Sequence, residues 1–240
     1  MTTTTPPAPH APTAGPRHLK VCGARTPADL ALLAGHGATL AGLWHGIPGG
    51  PADLTLPQLA RLAAAARDQG IEPTLVTFLD DPARLAAAAT ATGIRWIQLH
   101  AYQPPAVVRA LRAALPDAVL LKVLHLQGPT CLERPLIGAY QRAGTDLFLL
   151  DTATADGRVG STGQRLDPAH VLALLPRLER PFLLAGGLTP DNHHAYRAVT
   201  AHPLYRGADI DTGARDTAGR FTAAAVTALA RTWHREEQPA

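Results

Sequence analysis

The sequence predicts a single (β/α)₈ barrel, and its length, its alternation of segments and its helix-start punctuation all lead there. The chain has 240 residues, close to the roughly 250 that one such barrel takes. From residue 19 onward, eight short apolar runs alternate with Ala/Leu-rich stretches. The runs are 19–23 (LKVCG), 39–44 (TLAGLW), 73–79 (PTLVTFL), 95–100 (RWIQLH), 118–124 (AVLLKVL), 146–151 (DLFLLD), 181–186 (PFLLAG) and 206–210 (RGADI). The stretches between them, such as 57–68 (PQLARLAAAARD), carry apolar residues at helical spacing. Alternation of this kind means parallel strands joined by crossover helices. Thr26-Pro27, Asp81-Pro82, Asp167-Pro168 and Thr189-Pro190 each set a capping side chain before a Pro, which tolerates the first helical turn. Thr26 with Asp29 also forms a variant capping box. Eight strand–helix repeats close into a barrel, whereas a doubly wound open sheet usually has fewer.

Composition narrows the possibilities. Hydrophobic residues make up 46% and charged residues 17%, as in a globular domain of 18–235. The Thr/Pro/Ala-rich residues 1–17 are expected to form a disordered tail, and 236–240 a frayed end. Net charge is only +3 and the Arg residues are scattered, so no nucleic-acid partner is expected. No apolar run approaches the ~18 residues of a membrane span. The two cysteines, Cys22 and Cys131, do not make a disulfide framework and read as reduced thiols of a cytoplasmic protein. Cys131 is expected to be a packing residue. No His-x-x-x-His or Cys-x-x-Cys spacing occurs among the eleven His and two Cys, so neither a metal nor a cofactor is expected.

In a barrel of this type, chemistry gathers at the carboxyl ends of the strands. Side chains alternate along a strand with period two. Lys20 and Cys22 therefore share a face, as do Gln98 and His100, and Asp209 and Asp211. Cys22, His100, Asp151 and Asp211 fall at strand ends. Lys20 and Lys122 are the only Lys among 22 basic residues, and both lie inside apolar runs. They are open to two readings: they touch substrate, or they pair structurally with Asp209 or Asp151. His100 either orients loops or meets substrate.

At this point a resemblance enters. Lys20-Val21-Cys22-Gly23, Gln98-Leu99-His100 and Leu149-Leu150-Asp151 followed by Gly160-Ser161-Thr162-Gly163 resemble, in order, motifs of the phosphoribosylanthranilate isomerase family. So does Leu184-Ala185-Gly186-Gly187-Leu188-Thr189-Pro190-Asp191-Asn192. The likeness covers roughly 19–232. It implies an Amadori rearrangement of an aminoaldose to an aminoketose, with Cys22 as general base and Asp151 as general acid. It also implies a small-molecule substrate, phosphorylated or not, bound by a monomer or homodimer. Gly186, Gly187, Thr212 and Gly213 are expected to hold the phosphate through backbone amides. A thiol is a weak base near its ordinary pKa of about 8.5, so Lys20 is expected to favour the thiolate. Asp151 is expected to have a raised pKa.

Three departures from the family pattern bear on substrate. The Arg of a usual Ser-Pro-Arg stretch, which would hold the anthranilate carboxylate, aligns with Asp53. The loop from His45 to Asp53 has no Arg or Lys. The usual end of the eighth strand, Asp-Val-Ser-Ser-Gly-Val-Glu, becomes Asp209-Ile210-Asp211-Thr212-Gly213-Ala214-Arg215. A Gly-Asp-Glu after the fourth-strand His becomes Ala101-Tyr102-Gln103. Lys20, Asp53, Gln98, His100, Lys122, Asp209, Asp211 and Arg215 are the expected substrate contacts. The leading expectation is an isomerase of this type on a changed substrate, a ribosyl-amine or aminosugar with less negative charge, in specialised metabolism. The ordinary isomerase of tryptophan biosynthesis is the alternative. A Schiff-base aldolase or cyclase using Lys122 and a non-catalytic ligand-binding barrel are further readings.

Overall fold

The first strand is short and buried, and it pairs on both sides, so it has no free edge. In the computed structural model, which describes residues 16–154 and 165–234, β1 (His18–Cys22) lies between β2 (Leu40–Trp44) and β8 (Tyr205–Ile210), parallel to both. The ring continues through β3 (Glu72–Thr77), β4 (Trp96–Leu99), β5 (Val119–Gln127), β6 (Leu147–Thr152) and β7 (Phe182–Leu184). Pairing of β4 with β5 closes it. The expected (β/α)₈ barrel is therefore the observed fold. The helices are α1 (Pro27–Gly35), α2 (Leu56–Asp68), α3 (Pro82–Thr92), α4 (Pro105–Ala114), α5 (Ile137–Ala143), α6 (Pro168–Leu174), α7 (Arg197–Thr200) and α8 (Ala223–Leu229). Among the described residues, no helix is long and apolar enough to cross a membrane.

Most of the helix starts follow from the sequence. Thr26 and Asp29 form the reciprocal capping box, and Asp81 and Asp167 accept amides of the first turns of α3 and α6. At Thr189-Pro190 no helix begins. Thr189 instead exchanges bonds with Asn192, its N–H donating to Oδ1 at 3.0 Å, and a short 3₁₀ turn follows at His193–Tyr196. Asn192 also donates to the Gly187 carbonyl at 2.8 Å, so this segment braces the loop after β7 rather than extending α7.

Two apolar layers follow the strand pleat. The larger packs the outer faces of the strands against the helices and includes Leu19, Leu43, Ile97, Leu124, Leu150 and Leu184. Cys131 belongs to it, as a packing residue should. The smaller fills the barrel axis with Leu121, Val123, Leu149, Leu183 and Ala185. Odd-numbered positions of β5 and β6 thus point inward. Arg17, expected in the tail, already rests on the barrel, with its guanidinium 5.3 Å from the Tyr205 ring centre. The rest of the tail up to residue 15, the 236–240 end and the Gly160–Gly163 motif lie outside the described residues.

Closure between β8 and β1 depends on one glycine. Gly207 has φ +126°, and a Cβ there would sit 1.9 Å from the His18 carbonyl oxygen. Gly207→Ala should lower stability by roughly 2–6 kcal/mol, since backbone strain and overpacking each cost about 1–3. Urea unfolding measures it, and an unchanged midpoint would refute the steric argument.

Candidate active site

The site begins with a buried cation. Lys20 is fully buried, and its ammonium lies 2.9 and 3.0 Å from the two carboxylate oxygens of Asp209 and 2.6 Å from Cys22 Sγ. The strand register sets this up, because Lys20 lies directly opposite Asp209 on β8. Gly42 on β2 leaves the space: a Cβ there would meet Cys22 Sγ at 2.5 Å and Lys20 Nζ at 3.1 Å. Burial works against the Lys20 charge, but Asp209 and Cys22 more than offset it and hold the ammonium above its usual range.

The thiol does not follow the expectation. Burial first, and the Asp209 carboxylate second, push Cys22 up, while Lys20 pulls it down without prevailing. Asp209 has already claimed most of the Lys20 charge, so the thiolate is a minority species. Asp151, at the end of β6, behaves as expected. Burial raises it to about 6, opposed by the Thr152 N–H, which donates to Oδ1 at 2.7 Å. The carboxyl thus titrates near neutral pH while the thiol stays protonated.

Gln98 and His100 also share the inward face of β4. The Gln98 amide donates to His100 Nδ1 at 2.7 Å, so His100 carries its proton on Nε2, which lies 3.7 Å from Asp151 Oδ2. Burial, then the neighbouring His125, Lys20 and Lys122 charges, keep the His100 ring well below its usual pKa and therefore neutral.

His125 and Glu133 join this group, and sequence reasoning missed both. His125 follows the inward positions 121 and 123 on β5, directly opposite Asp151. A two-residue return strand, Thr130–Cys131, folds back on the end of β5 and carries Glu133 over the imidazole. Glu133 accepts from His125 Nδ1 at 2.6 Å and from its backbone N–H at 2.8 Å. The Gln127-Gly128-Pro129-Thr130 turn was the available signal, but an expected strand end at residue 124 left His125 outside it.

Beside Cys22 stands an apolar wall. Ile47 and Val76 pack on the cysteine, with Trp44 and Phe78 against them. Phe78 also stacks on His100 at a ring-centre distance of 5.7 Å.

Several expected substrate contacts have partners within the protein. Lys122 points out of the barrel toward the helices, because even positions of β5 face that layer. Its ammonium donates to the carbonyls of Ala101 (2.6 Å) and Val123 (2.9 Å) and lies 5.4 Å from the Tyr140 ring centre on α5. Burial lowers it to about 8, yet from that side it meets neither substrate nor Asp151, which removes the geometric basis for a Schiff base. Asp53 is exposed and closes its own loop, with Oδ1 accepting the Ile47 N–H at 3.1 Å. Arg215 donates to Asp211 at 2.8 Å and to the carbonyls of Cys22, Gly23 and Gly219, and covers the Phe221 ring. The two charges gained after β8 therefore offset each other. Gln103 ties to the carbonyls of Thr77 and Leu79. Gly186 and Gly187 have φ of +83° and +64°, and Thr212–Gly213 open a 3₁₀ turn beside Leu188, so the loops after β7 and β8 meet.

A sequence model of N-(5'-phosphoribosyl)anthranilate (PRA) isomerase matches residues 19–214. The chain belongs to the phosphoribosylanthranilate isomerase family. It is 32% identical over 205 residues to N-(5'-phosphoribosyl)anthranilate isomerase 2 of Methanosarcina mazei, covering 84% of this chain and 87% of that one. Identity to the Thermosynechococcus vestitus isomerase is 30% over 211 residues, covering 88% and 87%. The structure of the Thermus thermophilus protein superposes with a TM-score of 0.71 at 22% identity, covering 90% and 97%, a likeness of fold alone. As a member of this family the chain is an intramolecular isomerase of the aldose–ketose type.

Two outcomes follow from the geometry. Gly42→Ala should push the thiol aside and cut kcat by about 10²-fold, the usual cost of an ångström-scale misplacement, and overpacking should lower stability by roughly 1–3 kcal/mol. The pH profile should also be one-sided. The active form pairs protonated Asp151 with thiolate. Below about pH 6 the acid is already protonated and the thiolate fraction grows with pH, so kcat/KM rises. Above that, loss of the acid form and gain of thiolate cancel, and the rate stays flat. A fall between pH 7 and 9 would show that the thiol ionises normally.

Proposed function

We propose that this barrel isomerises phosphoribosylanthranilate to the corresponding 1-amino-1-deoxyribulose phosphate, the ordinary reaction of its family, in the cytoplasm. The observation that carries the reading is the apolar wall of Trp44, Ile47, Val76 and Phe78 beside Cys22, which suits a flat aromatic aglycone better than a second sugar. The charge argument for a changed substrate weakens once Asp53 is occupied by its own loop and Asp211 by Arg215. Arg25, from the loop after β1, donates to the Pro51 carbonyl at 3.3 Å. It brings a cation to the loop that lacks one.

The chemistry then runs between the two poles. Asp151 protonates the ribose ring oxygen, and the C1′–O bond opens to an iminium. The Cys22 thiolate removes the proton from C2′, giving an enolamine, which closes to the ketone as C1′ takes up a proton. The amides of Gly186, Gly187, Thr212 and Gly213 would hold the phosphate, since a backbone bend with positive φ lets amides converge on an anion. Gln98 and His100 would orient the sugar beside Asp151.

One observation favours the second reading, a ribosyl-amine or aminosugar without a carboxylate. Residues 45–53 carry no Arg or Lys, and a lost charge-assisted bond is worth about 1.5–3 kcal/mol. Turnover of phosphoribosylanthranilate, followed by fluorescence, separates the two. Wild type should turn over, while Cys22→Ala and Asp151→Asn should each lose about 10²–10⁴-fold in kcat. Absence of turnover by folded wild type would transfer the assignment to the second reading.

A further inference from the structure

The Glu133–His125 pair plays no part in the chemistry above, yet it is built like an acid–base device. Both side chains are almost fully buried. Burial acts against the Glu133 carboxylate, but the His125 bonds and charge and the Lys122 charge more than offset it and hold its pKa below the usual range. Glu133 accepts the Nδ1–H, which fixes the tautomer and leaves Nε2 as the ring atom that can exchange a proton with substrate. That atom is buried and has no hydrogen-bond partner among the described residues. Leaving a buried imidazole nitrogen unpaired is unfavourable, and such an atom beside a reacting group is a candidate for contact with substrate. A carboxylate on Nδ1 fixes tautomer and ring orientation, as the buried acid does in a Ser-His-Asp triad.

The topology gives the pair its place. His100, His125 and Asp151 end three consecutive strands, β4, β5 and β6, while β1, which carries Lys20 and Cys22, lies opposite β5 in the eight-strand ring. His125 lies beside Asp151 in the strand register, and its ring is 5.9 Å from that of His100. Substrate held between Cys22 and Asp151 would therefore lie across the face of His125.

We infer that His125, oriented by Glu133, is a third proton-transfer group that contacts the substrate and returns to Asp151 the proton spent on ring opening. The inference rests on the isomerase reading, and its proton balance is complete. Ring opening moves one proton from Asp151 to the ring oxygen. Cys22 thiolate takes the C2′ proton and becomes a thiol. In the closing step the C2′ hydroxyl O–H breaks, its proton goes to His125 Nε2, and its electron pair forms the C2′=O bond. The C1′=C2′ pair takes the thiol proton at C1′, which restores the thiolate. The imidazolium proton then passes to the Asp151 carboxylate, and all three groups return to their starting states.

His125→Ala should lower kcat on phosphoribosylanthranilate by about 10²-fold with KM within about threefold, and added imidazole should restore part of the loss. Glu133 is a positioning residue: Glu133→Gln should cost about tenfold in kcat and Glu133→Asp less. The second readout needs no turnover. In Cys22→Ala, the ¹⁵N resonance of His125 Nε2, assigned by its absence when His125 is also replaced, should shift when phosphoribosylanthranilate is added. A kcat for His125→Ala within threefold of wild type would overturn the inference. So would a loss that imidazole does not restore together with a resonance that stays still. If wild type fails to turn over, the isomerase reading falls, and the resonance decides separately: a shift supports the substrate contact, and no shift overturns it.

Discussion

A lysine ammonium buried inside a barrel of aliphatic side chains is the constraint around which this site is organised. An unpaired charge in that position would carry a penalty of several kcal/mol. Asp209 offsets it, and only because β8 pairs with β1 in the register that sets Lys20 opposite Asp209. That register in turn depends on Gly207, where any Cβ would strike the His18 carbonyl. Gly42 completes the arrangement from the other side by leaving room for both Lys20 Nζ and Cys22 Sγ. The ion pair, the two glycines and the thiol form one packing unit.

The same ion pair explains why the two catalytic candidates diverge. Lys20 could have stabilised a thiolate, but its charge is shared with a bidentate carboxylate, and the thiol is left high. On the opposite wall Asp151 has no cation in direct contact among the described residues. Burial, helped by the Asp209 charge, lifts it to about 6, and its backbone bond to Thr152 limits the rise. Two titratable groups whose surroundings push them toward different protonation states make an acid–base pair. Here the separation comes from giving the cation to one wall and neutral histidine to the other.

The sequence made much of this legible, for a physical reason. Period-two alternation placed Lys20 with Cys22 and Gln98 with His100, because each pair is polar on one face of a strand whose other face is apolar. Alternation failed on β5. The run AVLLKVL is apolar on both faces, as a strand buried between barrel axis and helices must be, and nothing in it marks the inward parity. Lys122 was therefore assigned to the wrong side. The same continuous apolarity hid His125, which extends the strand beyond its last obvious residue. Its partner Glu133 arrives through a tight return that only tertiary structure reveals. Asp53, Asp211 and Arg215 raise a different point. Each charge was read as available to a ligand, and each proved to have a partner within its own loop or the next.

That last point carries a general consequence for reading substrate from charge. A barrel mouth is built of loops whose backbone amides and carbonyls must be satisfied once they leave the sheet. Charged side chains serve that purpose well, and in sequence they look like ligand contacts. Arg215 is the clearest case here: its guanidinium donates to four acceptors and covers an aromatic face. The charge a ligand meets is what remains after such internal pairs are removed. In this protein the remainder is the Asp151 carboxyl on the β6 wall and, on the β1 wall, a buried ammonium already shared by Asp209 and Cys22. The ring-sized apolar surface between them, from Trp44 to Phe78, then says more about what the barrel holds than the formal charges of the loops above it.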